Sequence, residues 1–185
     1  MPWIKVIGED EAEGAVKDAY EEVMRARGKL SNIMRVQSLN AEAMTRHLEL
    51  YVTLMFGDSS LTRAERELIA VVVSSANRCA YCVNHHAEPL RFFWKDDERV
   101  DAVIAGWREA PLSARERALA AYADKLTRAP GDVAEEDVAA LRAQGLSDRD
   151  ILDVNMIAAY FNLVNRVAAG LGVECTPDEV RGYKT

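Results

Sequence analysis

Residues 61–86 read LTRAERELIAVVVSSANRCAYCVNHH, and this stretch decides the fold. Thr62 and Glu65 occupy the two positions of a capping box, where a hydroxyl and a carboxylate each satisfy an orphan backbone N–H at a helix start. The helix they open is expected to reach Ala76. Val71, Val72 and Val73 form the one β-branched cluster, but they sit inside a longer apolar period and do not make a strand. Asn77 and Arg78 break the pattern, and a second helix starts between Cys79 and Tyr81. Pro89 falls inside that helix and cannot donate to the His85 carbonyl, which predicts a kink or a stop there.

Helical signals continue on both sides. Upstream, helices are expected over 11–27, stopping at Gly28, then over 32–39 and 41–56, ending at Gly57. Downstream, a short helix is expected near 97–105. Ser113 and Glu116 form a second capping box, opening a helix to Arg128 that Pro130 and Gly131 close. Helices over 135–144 and 147–170 follow, and the tail beyond Gly172 reads as irregular. Ala, Leu, Glu and Arg, all good helix formers, dominate throughout. The expectation is an all-α single domain over 1–185, with N-terminal helices (1–58), a helical hairpin (59–95) and C-terminal helices (96–185). Leu61, Thr62, Glu65, Arg66 and Leu68 are echoed by Leu112, Ser113, Glu116, Arg117 and Leu119, which suggests two related units. Ala118 stands where the first unit has Glu67, and no cysteines follow it.

With 185 residues, the chain suits one core. Hydrophobic residues at 49% and charged residues at 29% make a globular balance rather than a disordered one. The net charge of −7 and the lack of a Lys/Arg run argue against nucleic acid as a partner. No apolar run approaches the roughly 18 residues a bilayer span needs. Residues 1–10 carry acid where a signal peptide would place basic and apolar regions. Three cysteines do not suggest a secreted disulfide framework. A cytoplasmic setting is expected, where C-x-x-C tends to be catalytic or metal-binding.

Cys79, Cys82 and His86 are spaced i, i+3 and i+7, within an arc of roughly 60° on a helix, and His85 lies about 120° from Cys79. Two thiols at i and i+3 can close a small disulfide ring. A helix N-terminus stabilises a thiolate through its free N–H groups and dipole. His86, one turn beyond Cys82, can exchange a proton with that sulfur. Two plainer readings stand beside this one: a pair of buried, inert thiols, or a zinc site from Cys79, Cys82, His85 and His86. Structural zinc usually draws its second ligand pair from a distant segment.

Glu67 followed by Cys79, Cys82 and His86 at this spacing resembles the signature of the alkylhydroperoxidase D and carboxymuconolactone decarboxylase superfamily. Residues 61–86, with Ser74, Asn77 and the Tyr81-Cys82 pair, are similar to its peroxidase-related branch. The segment AYFNLVNR at 159–166 resembles that branch's last helix. The resemblance implies an all-α, alkylhydroperoxidase D-like helical bundle assembled as a homo-oligomer (dimer, trimer or hexamer). It implies a proton relay from Glu67 through His86 to a peroxidatic Cys82, with Cys79 as the resolving thiol. A thioredoxin-style argument points the other way, because the cysteine nearest the helix start should have the lower pKa. The expected substrate is an organic hydroperoxide or hydrogen peroxide, and the expected reductant an external dithiol, a lipoyl group or a thioredoxin-like protein. No metal, flavin or nucleotide is required. The rival readings are a redox-sensing interaction protein, a cofactor-free decarboxylase and a structural zinc module.

Other residues invite plainer readings. Phe92, Phe93 and Trp94 suit either a pocket wall or a subunit interface. Met34, Met44 and Met55 suit core gaps. His47, beside Glu49, reads as exposed or core-edge, His85 as a neighbour of the site and Cys175 as incidental. Tyr160, Asn162, Asn165 and Arg166 suit either a pocket lining or hydrogen bonds between buried helices.

Overall fold

A computed structural model describes residues 2–176, 179 and 181–183. Met1 and the tail positions 177, 178, 180, 184 and 185 lie outside the described residues. Among the described residues, nine α-helices run in order: α1 (Gly14–Arg27), α2 (Asn32–Arg35), α3 (Ala41–Phe56), α4 (Arg63–Ala76), α5 (Ala80–Trp94), α6 (Asp97–Gly106), α7 (Ala114–Arg128), α8 (Glu135–Arg142) and α9 (Asp148–Gly170). A 3-10 turn at Pro130–Asp132 separates α7 from α8. Among the described residues there is no strand, and no helix is long and apolar enough to cross a membrane.

The centre of the molecule is α4, which packs against α5, α7 and α9. Residues 66–74 are all buried, so the valine run belongs to a helix enclosed on every side. Arg66 survives in that interior because its guanidinium is spent on carbonyls. It donates to Leu61 O at 3.1 Å, Leu54 O at 3.0 Å and Gly57 O at 2.9 Å. These bonds tie the loop between α3 and α4 to the core.

Both expected capping boxes form, at Thr62/Glu65 and Ser113/Glu116, and a third forms at Ser147/Asp150. The two echoed segments meet in space: α4 packs on α7, and Arg115 Nε donates to Glu65 Oε1 at 2.6 Å. Gly28 ends α1 in the left-handed region, at φ 76°. Two elements are shorter than the sequence suggests. Residues 11–13 stay outside α1, which begins at Gly14, and α2 ends at Arg35, after which turns lead to Asn40.

Pro89 does not stop α5, contrary to one of the two outcomes its position predicted: the helix runs on to Trp94. Its missing N–H removes one ladder bond, while Ala87 and Leu90 on either side are buried in the core. That burial outweighs one hydrogen bond, whose net worth is about 1 kcal/mol. The described residues of the tail are irregular as expected, yet docked: Val173 and Glu179 are buried.

Candidate active site

The hairpin of α4 and α5 builds the site. Arg78 takes the left-handed conformation, φ 55°, and turns the chain back so that Cys79 N donates to Ser74 O at 2.9 Å. The turn is fastened to α9 by side chains. Asn77 Nδ2 donates to Asn162 Oδ1 at 3.0 Å and to Asn165 Oδ1 at 2.9 Å, and Asn165 Nδ2 donates to Ser74 Oγ at 3.2 Å. Asn162 reaches on to Thr127 Oγ1 at 2.9 Å. These asparagines therefore hold helices together, and Arg166 folds back along its own helix, donating to Asn162 O at 2.8 Å.

Glu67 projects from the middle of α4 and is 1% exposed. An unpartnered carboxylate at that depth would be prohibitive, and both of its oxygens are engaged. Arg63, one turn earlier, donates from Nη2 to Oε1 at 2.7 Å, and His86 Nδ1 meets Oε2 at 2.7 Å. Arg63 is itself held by a bond to Met55 O and by the Phe56 ring, 4.0 Å from its guanidinium carbon. The His86 ring packs edge-on against Phe161, centroids 4.5 Å apart. His86 is thereby fixed with Nδ1 on Glu67, and the turn of α5 that carries Cys82 lies directly before it.

Cys79 is the N-cap of α5, and Cys82 is in its first turn. Both are reduced and buried, with their sulfurs 2.8 Å apart, so a small motion closes a disulfide. The two thiols titrate as a pair. The hydrogen bond from Cys82 lowers the Cys79 pKa to about 7 against the opposing effect of burial, and the backbone N–H groups of Cys82 and Tyr81 add to the lowering. The same hydrogen bond, together with burial, pushes the Cys82 thiol up. Removing one proton from the pair is therefore easy and removing the second is hard. The thiolate absorbance at 240 nm is expected to rise with pH through a midpoint near 7, with one thiolate present above it and neither below. The midpoint should move upward in Cys82→Ala, which removes the donor. A single midpoint at the ordinary thiol value, near 8.5, would show that the pair is not coupled.

A cavity of about 270 Å³ opens onto the hairpin, close to the smallest size usual for ligand sites. Glu67, Cys82 and His86 line it, whereas Cys79 does not. His47 and Tyr51 of α3 and Tyr160 of α9 line it as well. Phe92 is at the rim and 61% exposed, whereas Phe93 and Trp94 do not line the cavity. Met34 lines the cavity, and Met44 and Met55 fill the core, both 0% exposed.

Several contributors are absent from the sequence reading. Arg63 had a signal, its i,i+4 spacing to Glu67. Glu179 had none. It lies 98 residues from Tyr81, whose hydroxyl donates to Glu179 Oε1 at 2.7 Å, and Asn32 N donates to the same oxygen at 2.6 Å. His85 Nε2 is 3.5 Å from that oxygen. Burial would raise the Glu179 pKa, but the partners from His85, Tyr81 and Asn32 lower it overall. This carboxylate pins the tail, so that Arg181, Gly182 and Tyr183 close part of the cavity. Cys175 is half-buried and donates to Tyr81 O at 3.7 Å. Among the described residues, no group of three His, Cys, Asp or Glu side chains is placed to hold a metal ion.

Residues 41–125 match the carboxymuconolactone decarboxylase family, a stretch that contains Glu67, both thiols and His86. The structure is similar to an alkylhydroperoxidase AhpD core, a peroxidase-related protein of Ralstonia eutropha JMP134. That protein is 30% identical, with 97% of this chain and 94% of that one covered and a TM-score of 0.87. A peroxidase-related protein from Silicibacter sp. TM1040 is 32% identical, covering 97% and 91%, with a TM-score of 0.82. The chain belongs to the alkylhydroperoxidase D-like and carboxymuconolactone decarboxylase superfamily. The YdfG protein of Bacillus subtilis (strain 168) is 26% identical over 115 residues, 62% of this chain and 78% of its own. Within this superfamily the fold is all-helical, as the sequence implied, and its members are enzymes.

Proposed function

We propose that the protein is a thiol-dependent peroxidase in which Cys82 attacks the peroxide, Cys79 resolves the product and Glu67 and His86 move the proton. One observation carries this reading: Cys82, Glu67 and His86 face one cavity, with a second reduced thiol 2.8 Å behind the first. His86 and Cys82 are one helical turn apart, a gap of about 5–6 Å between Cβ atoms that one water can bridge. The relay takes the first proton from the thiol pair, and the remaining proton passes across the sulfur–sulfur contact to Cys79 as Cys82 attacks. A sulfur–oxygen bond forms at the terminal peroxide oxygen and the O–O bond breaks, leaving Cys82 as a sulfenic acid and releasing an alkoxide. The alkoxide takes the proton held by the relay and leaves as alcohol, or as water when the substrate is hydrogen peroxide. The Cys79 thiol then condenses with the sulfenic acid, releasing water and forming the disulfide. An external dithiol, a lipoyl group or a thioredoxin-like protein, reduces it by exchange.

The apolar-lined cavity favours an organic hydroperoxide over hydrogen peroxide. Leu152, Met156, Ala159 and Leu163 form an exposed stripe on α9 at helical spacing, which supports association of copies, readable by sedimentation equilibrium. The reactive pair suits a reducing compartment, and a cytoplasmic setting is part of the proposal.

The test is to add one equivalent of cumene hydroperoxide to the reduced protein and follow free thiols. Two thiols are expected to disappear per equivalent, far faster than from free cysteine, and dithiol should restore them. Loss at the rate of free cysteine would remove the peroxidase reading and leave the redox-sensor or structural readings in front.

A further inference from the structure

The cavity that Cys82 lines also carries a second hydrogen-bonded cluster that the thiol chemistry above does not use. His47 Nε2 on α3 and Tyr160 Oη on α9 are 2.6 Å apart, across 113 residues of sequence. Both side chains line the cavity. Tyr160 is flanked by Phe161, whose ring packs on His86, so neighbouring aromatic side chains of α9 contact His47 and His86. The remaining nitrogen of His47 faces the edge of the Gln37 amide. Nδ1 is 2.8 Å from Gln37 Nε2 and 3.0 Å from Gln37 Oε1.

That last contact has a chemical meaning. Neutral imidazole carries one proton, and its tautomer is set by the partner of the other nitrogen. Gln37 can donate to a bare Nδ1 through Nε2 or accept from Nδ1–H through Oε1. In the first arrangement the His47 proton is on Nε2 and is donated to Tyr160 Oη, which leaves the phenol O–H free to turn into the cavity. In the second, the phenol donates to Nε2 and the cavity receives nothing. The amide therefore supports both tautomers, and a ligand oxygen that accepts from Tyr160 selects the first. Burial keeps each group in the form this requires. The His47 pKa falls to about 4, so the ring stays neutral, and the Tyr160 phenol is pushed well up and keeps its proton.

Resting on the peroxidase reading, we infer that Tyr160 is a catalytic residue that donates a hydrogen bond to the leaving oxygen of the peroxide, and that His47, steadied by Gln37, is its positioning residue. As the Cys82 sulfur bonds to the terminal oxygen, the electron pair of the O–O bond moves onto the other oxygen. Tyr160 lines the same cavity as Cys82, so an O–H turned into that space can donate to the oxygen on which this charge develops. No net proton leaves Tyr160, and the alkoxide is neutralised by the proton from the relay. The cluster thus fits a substrate whose leaving group is a poor one that needs a donor, an alkyl or aryl-alkyl hydroperoxide rather than a peracid.

The experiment is single-turnover thiol oxidation in the parent, Tyr160→Phe, His47→Leu and His47→Gln, each with cumene hydroperoxide and with perbenzoic acid. The two oxidants are of similar size, but the carboxylate leaving group of the second needs little help. Tyr160→Phe is expected to slow the hydroperoxide by about 10²-fold, the effect of one donor at a developing oxyanion, and to leave the peracid almost unchanged. His47→Leu should shift the same ratio in the same direction, and His47→Gln, which keeps a polar partner for the phenol, should recover most of it. Should Tyr160→Phe fail to fold, the two His47 variants read the ratio with Tyr160 intact. Equal slowing of both oxidants, or no slowing of either, overturns the role of Tyr160 while an active parent preserves the peroxidase reading. A parent that loses no thiols to either oxidant overturns both.

Discussion

A Cys82→Ser variant is expected to consume peroxide at least about 10³-fold more slowly than the parent, the scale of loss when a nucleophile is removed from a group that acts as a unit. Serine preserves the shape of the side chain but offers a hydroxyl that does not attack an O–O bond. Cys79 cannot take over, because it does not line the cavity. Cys79→Ser should behave differently. Cys82 still faces the cavity, so one equivalent of peroxide is reduced and turnover then stops at a sulfenic acid that dimedone can trap. The assay is peroxide consumption with dithiol in excess, plus mass spectrometry of the dimedone-treated protein. The opposite pattern, a trapped sulfenic acid in Cys82→Ser and none in Cys79→Ser, would reverse the order of attack. This pair of variants decides a real conflict within the site. Electrostatics at the helix start place the easier thiolate on Cys79, whereas access to the cavity belongs to Cys82. The 2.8 Å contact reconciles them, because a proton that crosses it moves the charge from Cys79 to the sulfur that lines the cavity.

The parts of the site that the sequence reveals are those that helical periodicity carries. Cys79, Cys82 and His86 share one face of one helix, and the capping box at Thr62 fixes where α4 begins and therefore which of its faces Glu67 occupies. Local chemistry also foretells the ends of α1 and α3, at Gly28 and Gly57. Pro89 shows the limit of a local rule. Its effect on the helix depends on what Ala87 and Leu90 bury, which no window of sequence contains. The His47–Tyr160 pair is of the same kind. His47 meets Tyr160 only because α3 and α9 pack together, and nothing near His47 announces a partner 113 residues away. Glu179 is a plainer case still: an acid in a tail that reads as irregular is 3% exposed and anchored by Tyr81 and Asn32. Composition cannot find such a residue, because acids in irregular tails are normally solvated.

Glu67→Gln is expected to slow peroxide reduction by about 10²-fold, within the range that a positioned acid or base contributes. The substitution keeps the volume and one carbonyl oxygen, so His86 and Arg63 keep a polar neighbour, but the carboxylate that orients and exchanges protons with His86 is gone. Arg63 then holds a charge without its counter-charge in a partly buried position, and a modest fall in melting temperature should accompany the loss of rate. The decisive readout is the thiolate titration. The midpoint near 7 is set by the Cys82 thiol and by the backbone N–H groups of Cys82 and Tyr81, none of which belongs to Glu67. It should stay in place in Glu67→Gln while the rate falls, which is the signature of a lost proton relay. If the midpoint rises together with the loss of rate, Glu67 acts by tuning the thiol pair, and His86 is a structural ligand of the carboxylate. An unchanged rate means that the proton reaches the alkoxide by another route, and the water-exposed face of the cavity becomes its source.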